Sequence, residues 1–410
     1  MLNAEKIKCT PQGLRKTFAC CIIFYWLPLL TAHAQNALPL SFTSLTVNNG
    51  LSQNSVTAIY QDKKGLLWFG TQEGLNCYDS YTFKVYKHNP DISNSLSSSS
   101  VLCINQKGID TLWVGTEGGG LNLVNLINGN ISHYTANDSI PYSLNSNRIR
   151  HILYDSEGRT WLATFGGGIN RFDISTGKFF HYLPDSANAK SFSNFVVKII
   201  EDKKHRLWLT TRNGFYRFNP TDQSFLKIEL NDSNDSTALA PRLTDVVEDD
   251  KGLLWIGSAN QGMFIYNSET NKVVKSESIG LPVQESFVNK LYFDKQHQLW
   301  IGYWNSGIDV IDCNTKQIQH YESDENSKFA LSGNQVVSFF EDDAGLIWAG
   351  TSGNGVNVTD INTKRLSAFR YHKASQKINQ KTEVYAISKL NDDLFIGSSE
   401  SGMIQYTSND

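Results

Sequence analysis

The feature that most constrains this chain is an internal repeat. The stretch GLLWFGTQEGLNCYD at residues 65–79 returns as DTLWVGTEGGGLNLVN, GRTWLATFGGGINRFD, HRLWLTTRNGFYRFN, GLLWIGSANQGMFIYN, HQLWIGYWNSGIDVID and GLIWAGTSGNGVNVTD, and more faintly as DDLFIGSSESGMIQYT. The tryptophans are Trp68, Trp113, Trp161, Trp208, Trp255, Trp300 and Trp348, with Phe395 in the eighth place, and they stand 45 to 48 residues apart. A unit of this size cannot bury its own apolar surface alone, so the chain must stack its units into an array.

Within a unit the apolar residues alternate with a period near two and are broken by turn residues, which favours strands over helices. In the third unit IRHILYD (149–155), TWLAT, GINRFD and KFFHYL read as four short strands separated by SEG, FGG and ISTG. Four antiparallel strands per unit make a β-propeller blade, so the fold class is all-β. The Trp then serves as the large packing residue between blades. The following Gly allows a close backbone approach or a positive φ, and the Thr suits a half-buried pleat.

The two chain ends bear on closure. SFTSLTVNNGLSQNS (41–55) looks like a fourth strand and its loop without the three strands that should precede it, while the Phe395 unit stops before its own fourth strand. A terminal strand can finish the last blade and remove a free edge. Residues 42–47 could complete the Trp348 blade, giving seven blades with residues from about 366 left over, or the Phe395 unit, giving eight. Spacing alone leaves both open.

Ahead of these repeats, residues 1–34 read as a secretory leader. Lys6, Lys8, Arg15 and Lys16 form a basic region, FACCIIFYWLPLL (18–30) an apolar one, and Ala32-His33-Ala34 a cleavage site that would start the mature chain near Gln35. Thirteen apolar residues are short for a bilayer, which disfavours an uncleaved anchor. No second such run follows, so no membrane span is expected in the mature chain. The net charge of −3 offers no broad basic surface, which argues against nucleic acid. Cys77, Cys103 and Cys313 show no metal-ligand spacing and read as small core hydrophobes, so neither metal nor cofactor is expected.

The stretch GLSQNSVTAIYQDKKGLLWFGTQEGLNCYDSYTFKVYKH and its copies resemble the two-component-regulator propeller repeats of the periplasmic sensor region of hybrid two-component systems from Bacteroides-like bacteria. The resemblance covers nearly all of residues 41–410. It rests on a Leu-Ser-x-Asn opening (Leu51 to Asn54; Leu331, Ser332 and Asn334), an Asp-x-x-Gly turn six residues before Trp, and Trp-x-Gly-Thr. The resemblance implies a seven-bladed propeller over 41–365, closed by the N-terminal strand, with 366–410 opening a second propeller. It also implies a periplasmic, non-enzymatic sensor of an oligosaccharide, cut short before its signalling domains, with a homodimer left open. A sialidase-type box would place Asp five residues before Trp, whereas Asp155 stands six before Trp161.

Function should sit where the units differ from one another. The residue immediately before each first strand reads Ser55, Ser100, Arg148, Phe195, Arg242, Phe287 and Gln335. The third residue of that strand, expected to line a central channel, reads Ala58, Cys103, His151, Lys198, Asp245, Lys290 and Ser338. Charge there is expensive unless it faces a wet channel. The loops between second and third strands supply Glu73, Glu117, Phe165, Arg212, Asn260, Gln261, Trp304 and Asn305. Aromatic rings and arginines at one mouth suit a flat polyol, so the expected ligand-contacting set is Arg148, His151, Phe165, Phe195, Lys198, Arg212, Arg242, Asp245, Phe287, Lys290, Trp304 and Gln335. The same residues read otherwise as a solvated rim. A protein-interaction scaffold and, less well supported, a propeller hydrolase or lyase are the alternative functions; the last needs paired carboxylates, and Asp245 is the only carboxylate among the third residues.

Overall fold

The computed structural model describes residues 40–230, 240–361, 384–390, 393–398 and 402–407. The expected leader at 1–34 and the segment 366–383 lie outside the described residues. The third unit forms the expected strands, at Ile149–Tyr154, Thr160–Thr164, Ile169–Asp173 and Lys178–Tyr182, joined in sequence order. Seven such four-stranded sheets are present. In six of them one unit supplies all four strands; in the seventh, Val336–Glu341, Leu346–Thr351 and Val356–Asp360 are joined by Thr43–Leu45.

That pairing answers the question of closure. Thr43 lies opposite Val358 and Leu45 opposite Val356, so the N-terminal strand completes the Trp348 blade. Phe42 anchors it, buried beside Trp300 and edge-on to Tyr321 at 5.5 Å. From here the ring closes directly: Ser338 Oγ donates to the Val56 carbonyl (2.8 Å), and Phe69 of the first blade meets Trp348 at 5.5 Å. The strand is shorter than expected, because Val47–Asn49 turn into a 3-10 helix capped by Thr46.

The seven tryptophans are at most 4% exposed. Each sits in its own apolar cluster with the inner and second strands of the next blade: Trp68 with Val101 and Val114, Trp161 with Val196 and Leu209, Trp348 with Val56 and Phe69. The indole nitrogen explains the Asp six residues earlier. Nε1 of Trp68, Trp161, Trp208, Trp300 and Trp348 donates to Asp62, Asp155, Asp202, Asp294 and Asp342 at 2.8 Å, and that of Trp255 to Asp249 at 3.0 Å. The second unit has Lys107 in that place, and Trp113 Nε1 is buried without a partner. The Thr of the motif bonds as well as packs. Thr71, Thr116, Thr164, Thr211 and Thr351 are fully buried, and each hydroxyl closes its hairpin by donating to a carbonyl three or four residues on.

Residues 364–410 belong to a second compact unit, in which Val384–Leu390, Asp393–Ser398 and Gly402–Thr407 form a three-stranded antiparallel sheet.

Candidate ligand-binding site

Every inner strand carries a bulge at its second residue. The register slips between Val56 and Ala58, Val101 and Cys103, Ile149 and His151, Val196 and Lys198, Leu243 and Asp245, Val288 and Lys290, and Val336 and Ser338. A bulge leaves one residue outside the ladder and re-aims its neighbours. Here it lets two successive side chains reach the next blade: Thr57, Thr244 and Asn289 from the bulge position, and Cys103 and Ser338 from the third, donate to the carbonyl of the next inner strand's first residue. The matching Gly makes room. A Cβ on Gly70 would stand 2.5 Å from Val101 Cγ1.

Blades three and four break this rule. Their bulge and third positions are Arg150 with His151 and Val197 with Lys198, and Ala163 and Thr210 replace the Gly. Arg150, His151 and Lys198 thus stand in blades three and four without a latching neighbour, whereas blades five and six keep Thr244 and Asn289 as latches beside the charged Asp245 and Lys290.

The third residues of all seven inner strands, Ala58, Cys103, His151, Lys198, Asp245, Lys290 and Ser338, line one central cavity of about 480 Å³. Asp245, 1% exposed, is its electrostatic centre: Lys198 Nζ lies 2.5 Å from Oδ1 and Lys290 Nζ 3.8 Å from Oδ2, while the Leu291 amide donates to Oδ2 at 3.1 Å. Burial would raise this carboxyl, but Lys198 and Lys290 outweigh it and hold the group below the usual carboxylate range. Burial, reinforced by the same two lysines, pushes His151 down to about 3, so the imidazole is neutral, and its Nδ1 has no hydrogen-bond partner. Cys103 is a buried free thiol, pushed up to about 12 by burial, which leaves it unreactive.

The remaining expected residues form two groups at the mouth. In the first, Phe165 meets Phe195 edge-on at 4.6 Å, and the guanidinium carbons of Arg148 and Arg212 each lie 4.5 Å from the Phe165 ring centre. Arg148 also pairs with Glu117 of the blade before. Arg242 is exposed close by; burial first, then Arg242 and Arg148, depress the Arg212 guanidinium. In the second group Phe287 and Trp304 stack at 5.0 Å with ring planes 7° apart. Backbone bonds fix these groups: Phe165, Arg212, Ala259, Trp304 and Ser352 donate to the carbonyls of Arg148, Phe195, Arg242, Phe287 and Gln335. Gln335 is half-buried there.

Two residues escaped the sequence reading. Arg150, at the bulge, lines the cavity, and Phe192 stands 60% exposed beside Phe195 at 5.4 Å. Arg150 was legible in principle, because the other blades hold Thr57, Leu102, Val197, Thr244, Asn289 and Val337 at its position.

Comparison with known proteins places this geometry. The Two component regulator propeller family matches residues 50–73, 143–166 and 330–353, each running from the opening loop of a blade through its Trp hairpin. Histidine kinase P4 of Formosa agariphila is 46% identical over 72 residues, 18% of this chain and 5% of that protein. The extracellular domain of a hybrid two component system from B. thetaiotaomicron superposes with a TM-score of 0.71 at 25% identity, covering 90% of this chain and 48% of that domain. A second such domain gives 0.64 at 20%, covering 90% and 46%. The chain therefore spans about half the length of these domains. Virginiamycin B lyase from Staphylococcus aureus, at 16% identity and a TM-score of 0.57 over 78% of this chain and 98% of the lyase, shares the fold alone. This chain is a seven-bladed β-propeller with two-component regulator propeller repeats matched in three of its blades, similar to the extracellular domains of Bacteroides hybrid two-component systems.

Proposed function

We propose that this propeller is the ligand-sensing part of a hybrid two-component sensor, that it works in the periplasm after removal of the leader at 1–34, and that it binds an oligosaccharide at the channel mouth without altering it covalently. On this reading residues from about 366 onward open a second propeller.

The observation that carries the proposal is the departure from repeat symmetry. The scaffold positions repeat around the ring, yet aromatic and cationic side chains gather at one mouth, and the paired Phe287 and Trp304 rings offer a flat apolar face for a sugar ring. Binding without hydrolysis fits the carboxylates that line the cavity, each of which is already engaged. Asp245 serves two lysines, Glu201 accepts from the Ser156 amide and hydroxyl, and Glu248 accepts from the Lys203 amide at 2.8 Å.

Calorimetry against plant, host and microbial oligosaccharides tests this. Wild type should bind at least one of them, and Trp304→Ala should weaken that binding by about 1–3 kcal/mol with little change in melting temperature. Binding by no sugar, or binding that Trp304→Ala leaves untouched, would remove the basis for the site.

A further inference from the structure

We infer that the sector of blades three to five is an anion subsite, and that the sugar this propeller takes carries an acidic substituent, a carboxylate or a sulfate. This rests on the sensing reading above and narrows its ligand class.

The charges around the site do not balance. Arg148, Arg150, Arg212, Arg242, Lys198 and Lys290 stand at the cavity or its mouth, against Glu117 and Asp245; Glu201 and Glu248, which also line the cavity, lie at the opposite ends of their inner strands and accept from the Ser156 and Lys203 amides. Glu117 is taken by Arg148, and Asp245 by the two lysines. Arg150, Arg212 and Arg242 have no carboxylate within ion-pair distance among the described residues, in a chain whose net charge is −3. The acids elsewhere on this mouth are engaged locally: Glu73 with Lys87, and Glu285 with the Asn305 amide.

Crowded guanidinium groups repel one another, and a cation held next to another cation costs free energy that an incoming oxyanion returns. Planar guanidinium donors also match the two oxygens of a carboxylate or the face of a sulfate. His151 also lines the cavity, neutral and with its Nδ1 buried without a partner, so it adds a polar group but no positive charge to the sector. The aromatic rings at the mouth would hold the sugar body, and the arginines would read its charge.

The test uses the whole chain and two matched pairs of probes: tetragalacturonate with its fully methyl-esterified form, and a sulfated galactan tetrasaccharide with its desulfated form. The acidic member of one pair should bind at least about tenfold more tightly than its neutral partner. That preference should shrink severalfold as sodium chloride rises from about 50 to about 300 mM. Arg212→Gln and Arg242→Gln should each cost about tenfold in affinity for the acidic probe, with unchanged melting temperature and little effect on a neutral sugar. Which pair responds distinguishes carboxylate from sulfate. Equal binding of acidic and neutral members, or acidic binding indifferent to salt and to both variants, overturns the anion subsite and leaves the sensing reading in place. Binding by no probe, and by none of the broader neutral panel, overturns both.

Discussion

At the scale of single residues, the repeat motif is a hydrogen-bonding device as much as a packing one. In the six blades that have it, the Asp of the turn binds the indole nitrogen of its Trp with one oxygen and at least one backbone amide of the turn with the other; Asp294 takes the Trp300 Nε1, the Gln296 amide and the Gln298 amide. Asp294→Ala leaves the buried Trp300 Nε1 and the amide of half-buried Gln298 without this acceptor, while Gln296 is exposed to water, and should cost about 2–3 kcal/mol in urea unfolding. A loss under about 0.5 kcal/mol would show that water replaces the carboxylate. The turn tolerates one liberty: His205 and His297 adopt φ of 61° and 64° where other units place Gly. Blade six takes another. Asp309 replaces the Asn76, Asn122, Asn170 and Asn357 of other units, fully buried between Tyr303 (2.7 Å) and His320 (2.6 Å). Burial raises the Asp309 carboxyl; burial lowers the His320 imidazole but is outweighed by its bonds to Glu322 and Asp309, which raise it. Both groups therefore hold protons more tightly folded than unfolded, and their contribution to stability falls as pH rises through the range between the ordinary Asp value of about 4 and the raised His value above about 6.5. Asp309→Asn removes one proton site and one of the two partners that raise the other, so the urea midpoint should decline less between about pH 5 and pH 8 than in wild type. An identical slope in the two proteins would refute the assignment.

At the scale of elements, the bulge decides how blades meet. It turns one inner-strand residue toward the next blade and creates the contact that the motif Gly must accommodate. The opposite end of the inner strand holds a second latch, in which Gln106, Glu201, Glu248, Glu341 and Gln61 accept a turn amide from the preceding blade. Gly350 sits at the closing junction, where an added Cβ would overlap the Val56 carbonyl oxygen and Ser338 Oγ. Gly350→Ala must push the first and seventh blades apart and strain the Ser338 bond, so it should destabilise by about 3 kcal/mol. Thermal melts of the purified variant measure this; a loss below about 1 kcal/mol would mean that the junction yields freely. Blade three carries Ala163 at the same place, together with Arg150 and His151, and there it packs with Val196 of the next blade.

At the scale of the molecule, closure into seven blades gives the last blade its fourth strand, and the three-stranded sheet beyond residue 363 belongs to its own compact unit. A chain ended after Thr363 should therefore keep the far-UV spectrum of the ring and melt within a few degrees of the full-length protein. A collapse of the transition would show that the second unit is required for the first to fold. The ring also turns a scattered set of loop residues into one surface, since seven site positions spread from Arg148 to Trp304 are held on the mouth by backbone bonds between the start of an inner strand and its own blade's hairpin.

Local periodicity was enough to place the blades, the buried tryptophans and the channel-facing third residues, because a strand's side chains alternate and each unit repeats the same landmarks. It could not choose between seven and eight blades: the Phe395 unit keeps the spacing of the others, and strand pairing across some 300 residues is set by where the ring meets itself, as the Thr43–Val358 register shows. Alternation alone did not give Arg150, because a bulge shifts it by one residue and only comparison between the blades marks that position, nor the stacking of Phe287 on Trp304, because those side chains are seventeen residues apart and meet only across the hairpin mouth. The alternation of facing lies in the chain itself, whereas neighbours brought together by closure, bulge and loop exist only once the ring has formed.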